Sequence, residues 1–491
     1  MSHHHTHKKA KKGDGSHESH HEAHQLFRTH KSHNSSVAGH VKPPHKVPGI
    51  EVGPATGVIY IMDRAMANGY YYGNPEWSNL GQGAPEVGHI PGATPKPTSL
   101  NFEEFGEGIH EYAPTAGYKP LREAVADYYN REFRQGNKKK YGAENICIVP
   151  GGRAGLSRIA ACLGKINVGY SVPVYSAYEN TLGAFNSFVS IPNQTDEVHG
   201  YRVTPEQIDK EVKDRGLSCW LMSNPNNPTG TMMRGEELQR LVEVFKGRGA
   251  TLIADEFYSW YDHEGPLGGA ISAAEYVEDP NEDPIVLIDG LTKNWRCPGW
   301  RICWVVGPKE LVSALAAAGS WSEGGASHPM QCLALQMMTA DRCKQDRLAL
   351  QKHFRMKRDH CLKRLASMGL EVKVPPQATF YIWVSLADLP PPINSGLTFA
   401  EEALKEKVCL TPGIFFDINP SKRRNIVDSP CEAFVRLSFG PPLEELDRGL
   451  DGIERLIKKA KSGHPDVGTN YKPHKEDEHH DNVHAAPSSG S

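Results

Sequence analysis

The sequence predicts an α/β protein with a large domain whose mainly parallel sheet is flanked by helices, a smaller α+β domain after it, and disordered His-rich tails. Three observations carry this. Short apolar runs of strand length alternate with amphipathic helical patterns through the middle of the chain. Within each run consecutive residues are apolar, as in strands buried on both faces. At 491 residues, 38% of them apolar, the chain is long enough for two or three units with cores of their own.

Taken in order, residues 1–50 read as a disordered tail, and so do 463–491. Twelve of the 24 histidines lie in the first stretch, mixed with Lys, Ser and Gly, and five more follow Gly463. Such segments bury too little apolar surface to offset the entropy of ordering. The cluster His3, His4, His5 and His7 has the composition of a transition-metal tract, but a solvated tail is the simpler reading and no metal site is expected. Residues 51–100 read as an N-terminal arm that joins the smaller unit.

A large unit over 101–335 holds the strand candidates Ile146–Val149, Cys219–Met222, Leu252–Ala254 and Ile285–Ile288. Between the second and third, Leu238, Leu241, Val242 and Phe245 fall at i, i+3, i+4 and i+7, one helix face, with Gly247 as the expected stop. The segment from Pro308 has a proline start and a Gly319 stop in the same style. A smaller unit over 336–462 closes with Leu446, Leu450, Ile453 and Ile457 on one helix face.

Composition excludes several functions. A net charge of −3 leaves no electrostatic footprint for nucleic acid. No stretch approaches the ~18 consecutive apolar residues of a membrane span, and the basic N-terminus lacks the apolar stretch of a secretory signal. Ten cysteines without a CxxC pair suggest neither a zinc ribbon nor a disulfide framework. The expectation is a cytoplasmic, reduced protein with no nucleic-acid or membrane partner.

The segment after each strand is chemically loaded. Ile146–Val149 leads into Pro150-Gly151-Gly152-Arg153-Ala154, and Cys219–Met222 into Ser223-Asn224-Pro225-Asn226-Asn227-Pro228-Thr229-Gly230. Leu252–Ala254 leads into Asp255-Glu256-Phe257-Tyr258, and Ile285–Ile288 into Asp289-Gly290-Leu291-Thr292-Lys293. Glycines, an amide, a carboxylate and an amine thus gather at the edge where open α/β sheets bind ligands.

With these motifs the chain resembles the class I/II aminotransferases, pyridoxal 5'-phosphate (PLP) dependent enzymes of fold type I. The resemblance runs from about Asn79 to Arg436, through LGQGAP, YAPTAGYKPLREA, PxYxxY from Pro173, NPNNPTG, DEFY, TKNWRCPGWR and RLSFG. The physical demands of PLP chemistry suit the residues. An amine must hold the cofactor's aldehyde and then shuttle a proton, and Lys293 at a buried strand end suits both tasks. The ring nitrogen needs a buried carboxylate, for which Asp255 is the candidate.

The resemblance further implies that Asn227 and Tyr258 bond the ring's phenolic oxygen and that Tyr175 stacks on the ring. The phosphate would sit on the amides of Gly152, Arg153 and Ala154 at a helix start, with Arg301 forking onto it. Tyr112 would reach the phosphate of a second subunit, making the enzyme a homodimer with shared sites. Arg436 and Gly83, with Asn227, would hold the α-carboxylate of the substrate.

Two positions depart from the family. Gly290 stands where many relatives have Ser, and Arg153 where Ser or Thr is commoner, so Arg153 is expected to replace the missing hydroxyls. No Arg occurs between Arg301 and Arg342, which argues against a dedicated dicarboxylate pocket, while Trp321, Phe380 and Tyr381 suggest an aromatic lining. The implied reaction moves an amino group from an L-amino acid to a 2-oxo acid in two half-reactions through a Lys293 Schiff base. The alternatives are a lyase resembling the aminocyclopropane-carboxylate synthases, which needs the same site, and a catalytically silent regulatory relative.

Overall fold

The structure, a computed structural model, describes residues 57–463, so both His-rich stretches expected as tails lie outside the described residues. The described chain enters through helix α1 (Val58–Ala67), the two-residue strand β1 (Ser78–Asn79) and helix α2 (Lys119–Phe133). The main sheet then begins with β2 (Ile146–Val149), α3 (Gly152–Cys162), β3 (Asn167–Val172), α4 (Ala177–Gly183) and β4 (Val189–Gln194). It continues with α5 (Pro205–Arg215), β5 (Leu217–Ser223), α6 (Glu236–Arg248), β6 (Thr251–Asp255), β7 (Ile285–Gly290) and β8 (Cys303–Val306). Helices α7 (Lys309–Ser322), α8 (His328–Ala334) and α9 (Ala340–Ser367) come next. The last part holds β9 (Tyr381–Ser385), α10 (Gly396–Lys405), β10 (Val408–Cys409), β11 (Thr411–Pro412), β12 (Phe434–Ser438) and α11 (Leu443–Lys461).

Seven strands form one sheet in the order β2-β8-β7-β6-β5-β3-β4. Every pair from β7 to β4 is parallel, while β8 runs antiparallel to both β7 and β2. Strand β2 therefore points the same way as β5, β6 and β7, and the four loaded loops emerge at one edge. They do not come after successive strands of the chain, because β3 and β4 intervene between the first and second.

The four expected strands are buried or nearly so along their length, as their unbroken apolar runs require. Strand β4 escaped that reading. It lies at the sheet edge, half-exposed, with Ser190, Pro192 and Asn193 in it.

Helix α6 buries Leu238, Leu241, Val242 and Phe245, each worth about 1.5–3 kcal/mol of burial. The expected stop at Gly247 is corrected: the helix runs through it to Arg248 and ends on Gly249, whose φ of 63° is the left-handed cap. Gly319 is likewise no stop. Helix α7 continues to Ser322, and Gly319 is small because the buried Arg158 guanidinium lies against it.

A second, three-stranded antiparallel sheet, β11-β12-β9, packs with α10, and α11 packs on α10, β1 and β10. Strand β1 pairs in parallel with β10, which brings Ser78 and Asn79 to this smaller region. Beyond β1, Leu80 O accepts from Ser438 N at 2.7 Å, which lays the Gly81–Gly83 stretch beside the end of β12. No helix among the described residues is long and apolar enough to cross a membrane.

Candidate active site

At the loop after β2, Gly151 has φ 101° and the Arg301 guanidinium lies where a Cβ would be. Only glycine lets the cation approach the backbone so closely. Arg301 itself is held by a bond from Nη1 to Pro298 O at 3.1 Å. The Phe257 ring occupies the Cβ space of Gly152, so helix α3 starts flush against the sheet edge. Its first amides, at Gly152 and Arg153, have no partner inside the helix. The amide of Ala154 already bonds Gly151 O at 3.1 Å.

Asp255 ends β6 and is buried. Its Oδ2 accepts the Tyr178 hydroxyl at 2.7 Å and its Oδ1 the Phe257 amide at 3.5 Å. Burial pushes its carboxyl up to about 6 despite these bonds. Tyr178, the second tyrosine of PxYxxY, was not singled out in the sequence, although that repeat was its signal. Tyr175 lies half-buried with its ring centre 5.5 Å from that of Tyr178, edge-on. The Arg153 Nε donates to its hydroxyl at 3.2 Å.

Lys293 lies just after β7, and its Nζ donates to Gly83 O across the two regions. Burial first, then the charges of Arg436, Arg153 and Arg301, lower its pKa to about 8. Next to it, Asn294 bonds Ser259 Oγ at 2.9 Å and Asp289 Oδ2 at 3.0 Å, fixing the loop that carries the amine. Gly290 has a physical reason: it faces Cys303 of β8, and a Cβ there would come within 2.6 Å of Cys303 Sγ. The serine found in many relatives does not fit.

Arg436, on β12, is 2% exposed. Its Nη1 donates to Asn227 Oδ1 at 3.0 Å and its Nη2 to Gly81 O at 2.7 Å, while Nε has no partner. Its guanidinium lies 4.2 Å from the Tyr381 ring centre. Among the described residues no carboxylate pairs with it. A buried cation with only neutral partners is an anion receptor waiting for its anion.

Tyr258, after β6, bonds Tyr381, with 2.9 Å between hydroxyl oxygens. Phe380 and Tyr381 are fully buried in this cluster. Trp321 is not part of it: it stands 69% exposed in the last turn of α7. Tyr112 is 95% exposed and takes no part in the site of its own chain.

The Gly81–Gly83 stretch is anchored by a cluster that sequence reading missed. Lys357, buried on α9, donates to Glu86 Oε1 at 2.7 Å, to Gly440 O at 3.2 Å and to Pro441 O. His353 bonds the same Glu86 oxygen at 2.6 Å. Burial works against the charge on Glu86, but these partners outweigh it and hold the carboxyl at about 2.

The lysine, the carboxylate, the asparagine and two arginines therefore converge on one edge, as a PLP site requires. Asp255 offers a buried carboxylate without a cation bonded to it, Lys293 an amine shed of part of its proton affinity, and α3 free amides beside Arg301. The donor set fits the cofactor.

The family model for aminotransferase class I and II matches residues 75–453. A probable N-acetyl-LL-diaminopimelate aminotransferase of Bacillus subtilis is 29% identical over 363 residues, 72% of this chain and 84% of that protein. The aspartate/prephenate aminotransferase of Thermus thermophilus is 26% identical over 361 residues, 72% and 86% respectively. Among solved structures, the Thermus thermophilus aspartate aminotransferase with maleate superposes with a TM-score of 0.67 at 23% identity, over 82% of this chain and 97% of that one. This last likeness shows the fold.

Proposed function

The chain belongs to the aminotransferase class I and II family, and from that premise we propose that it moves the amino group of an L-amino acid to a 2-oxo acid with PLP held at Lys293. One observation carries the reading: a buried, carboxylate-free Arg436 and the Lys293 amine, its pKa lowered to about 8, meet across the Gly81–Gly83 stretch. An amino acid offers an anion to the first and a Cα–H bond to the second.

Lys293 would hold the cofactor's aldehyde carbon, Asp255 its ring nitrogen, and Asn227 with Tyr258 its phenolic oxygen. Tyr175 would cover the ring face. Gly152, Arg153, Ala154 and Arg301 would receive the phosphate, and Tyr112 that of a second subunit in a cytoplasmic homodimer. When bound, PLP supplies the electron sink that makes the Cα–H bond acidic.

The remaining work falls to the protein. Arg436 forks onto the α-carboxylate and, with Asn227 and Gly83, fixes which bond faces Lys293. Lys293 Nζ, whose pKa burial and the neighbouring arginines lower to about 8, sheds its proton more readily than an ordinary lysine and is the group placed to take the Cα proton. Ten free cysteines, nine of them buried, suit a reducing compartment. The division into a cofactor-binding unit over 101–335, a smaller unit over 336–462 and an arm over 51–100 is part of the same reading. So is Arg153 standing in for the hydroxyl that Gly290 cannot carry; full PLP affinity in Arg153→Ser would remove that role.

The relatives are named aminotransferases, which favours transfer over a lyase outcome. Mixing PLP-loaded enzyme with single amino acids tests this. Transfer predicts about one 2-oxo acid released per site, with further turnover only after a 2-oxo acid is added. Repeated turnover without any acceptor would mean a lyase, and no product with any amino acid would sink the enzymatic reading.

A further inference from the structure

The Tyr258–Tyr381 contact poses a question of proton count. Two hydroxyls 2.9 Å apart share one hydrogen bond, which uses one of their two protons. No other hydroxyl partner of either is seen among the described residues, and both side chains are buried. One proton of the pair is therefore left facing the site.

We propose that Tyr381 is a positioning residue: it donates to Tyr258, so that the spare proton is the one on Tyr258 and is aimed at the phenolic oxygen of the cofactor. The inference rests on the aminotransferase reading, which gives Tyr258 that oxygen as acceptor. A hydroxyl with one proton cannot donate in two directions, so Tyr381 must be the donor within the pair.

Two further features support the assignment. Tyr381 begins β9 in the smaller region and Tyr258 lies just beyond β6 of the main sheet, so their bond closes the seam between the two. The Arg436 guanidinium lies over the Tyr381 ring, where its charge strengthens the phenol as a donor. Burial keeps both phenols protonated, Tyr258 well above its ordinary range and Tyr381 also raised. Tyr381 thus touches the carboxylate receptor with its ring and the cofactor's hydroxyl partner with its oxygen. A carboxylate arriving on Arg436 weakens the field on Tyr381, and with it the donation passed on to Tyr258.

The test is the pH titration of the visible absorption band of the PLP-loaded enzyme, read in Tyr381→Phe, Tyr258→Phe and the double variant. A donor to the phenolic oxygen favours the deprotonated form and keeps the apparent pKa low. Tyr381→Phe keeps the ring under Arg436 and removes only the hydroxyl, so the fold stays intact, as a thermal melt will register. It should raise the apparent pKa by about 0.5 or more, and add nothing further in the Tyr258→Phe background. An unchanged pKa, or an equal shift on top of Tyr258→Phe, overturns the proposal. Undiminished amino-group transfer by Lys293→Ala would instead overturn the aminotransferase reading beneath it, a distinct result.

Discussion

Two buried charged clusters lie side by side in this molecule and are built on opposite plans. Around Glu86, Lys357 and His353 the charges are matched: the lysine bonds one carboxylate and two carbonyls, and that carboxylate oxygen bonds both the lysine and the His353 ring. Around Asp255, Lys293 and Arg436 the polar contacts are to hydroxyls, amides and carbonyls. A buried charge without a counter-charge is costly. The second cluster accepts that cost because a cofactor and a substrate would bring the counter-charges its own residues do not supply. The contrast separates residues whose loss should remove function from residues whose loss should remove stability.

The largest effect is expected at Lys293. Lys293→Ala should lower kcat/KM by about 10⁴ or more while leaving the melting temperature of the cofactor-free protein unchanged or higher, since it removes a poorly solvated amine. Steady-state kinetics and calorimetry together check both halves. A large loss of stability would move Lys293 to the paired class.

Asp255→Asn sharpens the same point with a sign. A carboxyl raised from 3.8 to about 6 binds its proton more tightly folded than unfolded. Its contribution to stability therefore falls as pH rises between those values and stays unfavourable above them, by about 3 kcal/mol at most. The asparagine variant should be as stable as the parent or more so at pH 7, yet lose ~10³ in kcat. Glu86 has the opposite sign. Its stabilisation is complete above the ordinary carboxylate value of 4.5 and is lost as pH falls toward about 2.

At the paired cluster, Lys357→Met should cost about 3–5 kcal/mol, because it leaves Glu86 buried beside a weaker partner. Its kcat/KM at permissive temperature should fall only about tenfold, through loosening of the Gly81–Gly83 stretch; urea unfolding and kinetics read the two effects separately. Smallest of all, Gly290→Ser should cost about 1–3 kcal/mol by pressing on Cys303. It should not tighten PLP. Tighter PLP binding would show that the serine of the relatives fits after all.

The same contrast explains what the sequence made legible. Strands β2, β5, β6 and β7 are apolar runs, and the residues at their ends are contiguous motifs, so Asp255, Asn227 and Lys293 could be placed from the chain alone. Edge strand β4 alternates weakly and carries Pro192, and the glycines at 247 and 319 imitate helix ends while sitting inside helices. Lys357 looks like any lysine of a basic helix. Its meaning emerges only when residues 271 positions apart meet. Tyr381 reads only as part of an aromatic lining until its hydroxyl is seen against Tyr258. Groups that act within one loop leave a local trace, whereas groups that act across the two regions do not.

The central claim is that Arg436 is the receptor for the substrate's carboxylate, set against the Lys293 amine. It is tested most directly by comparing, in one assay, an L-amino acid with the amine that lacks its carboxylate, in the wild type and in Arg436→Gln. The wild type should prefer the amino acid by about 10³ or more in kcat/KM, and the variant should lose most of that preference through the amino acid alone. An undiminished preference in Arg436→Gln would contradict the account.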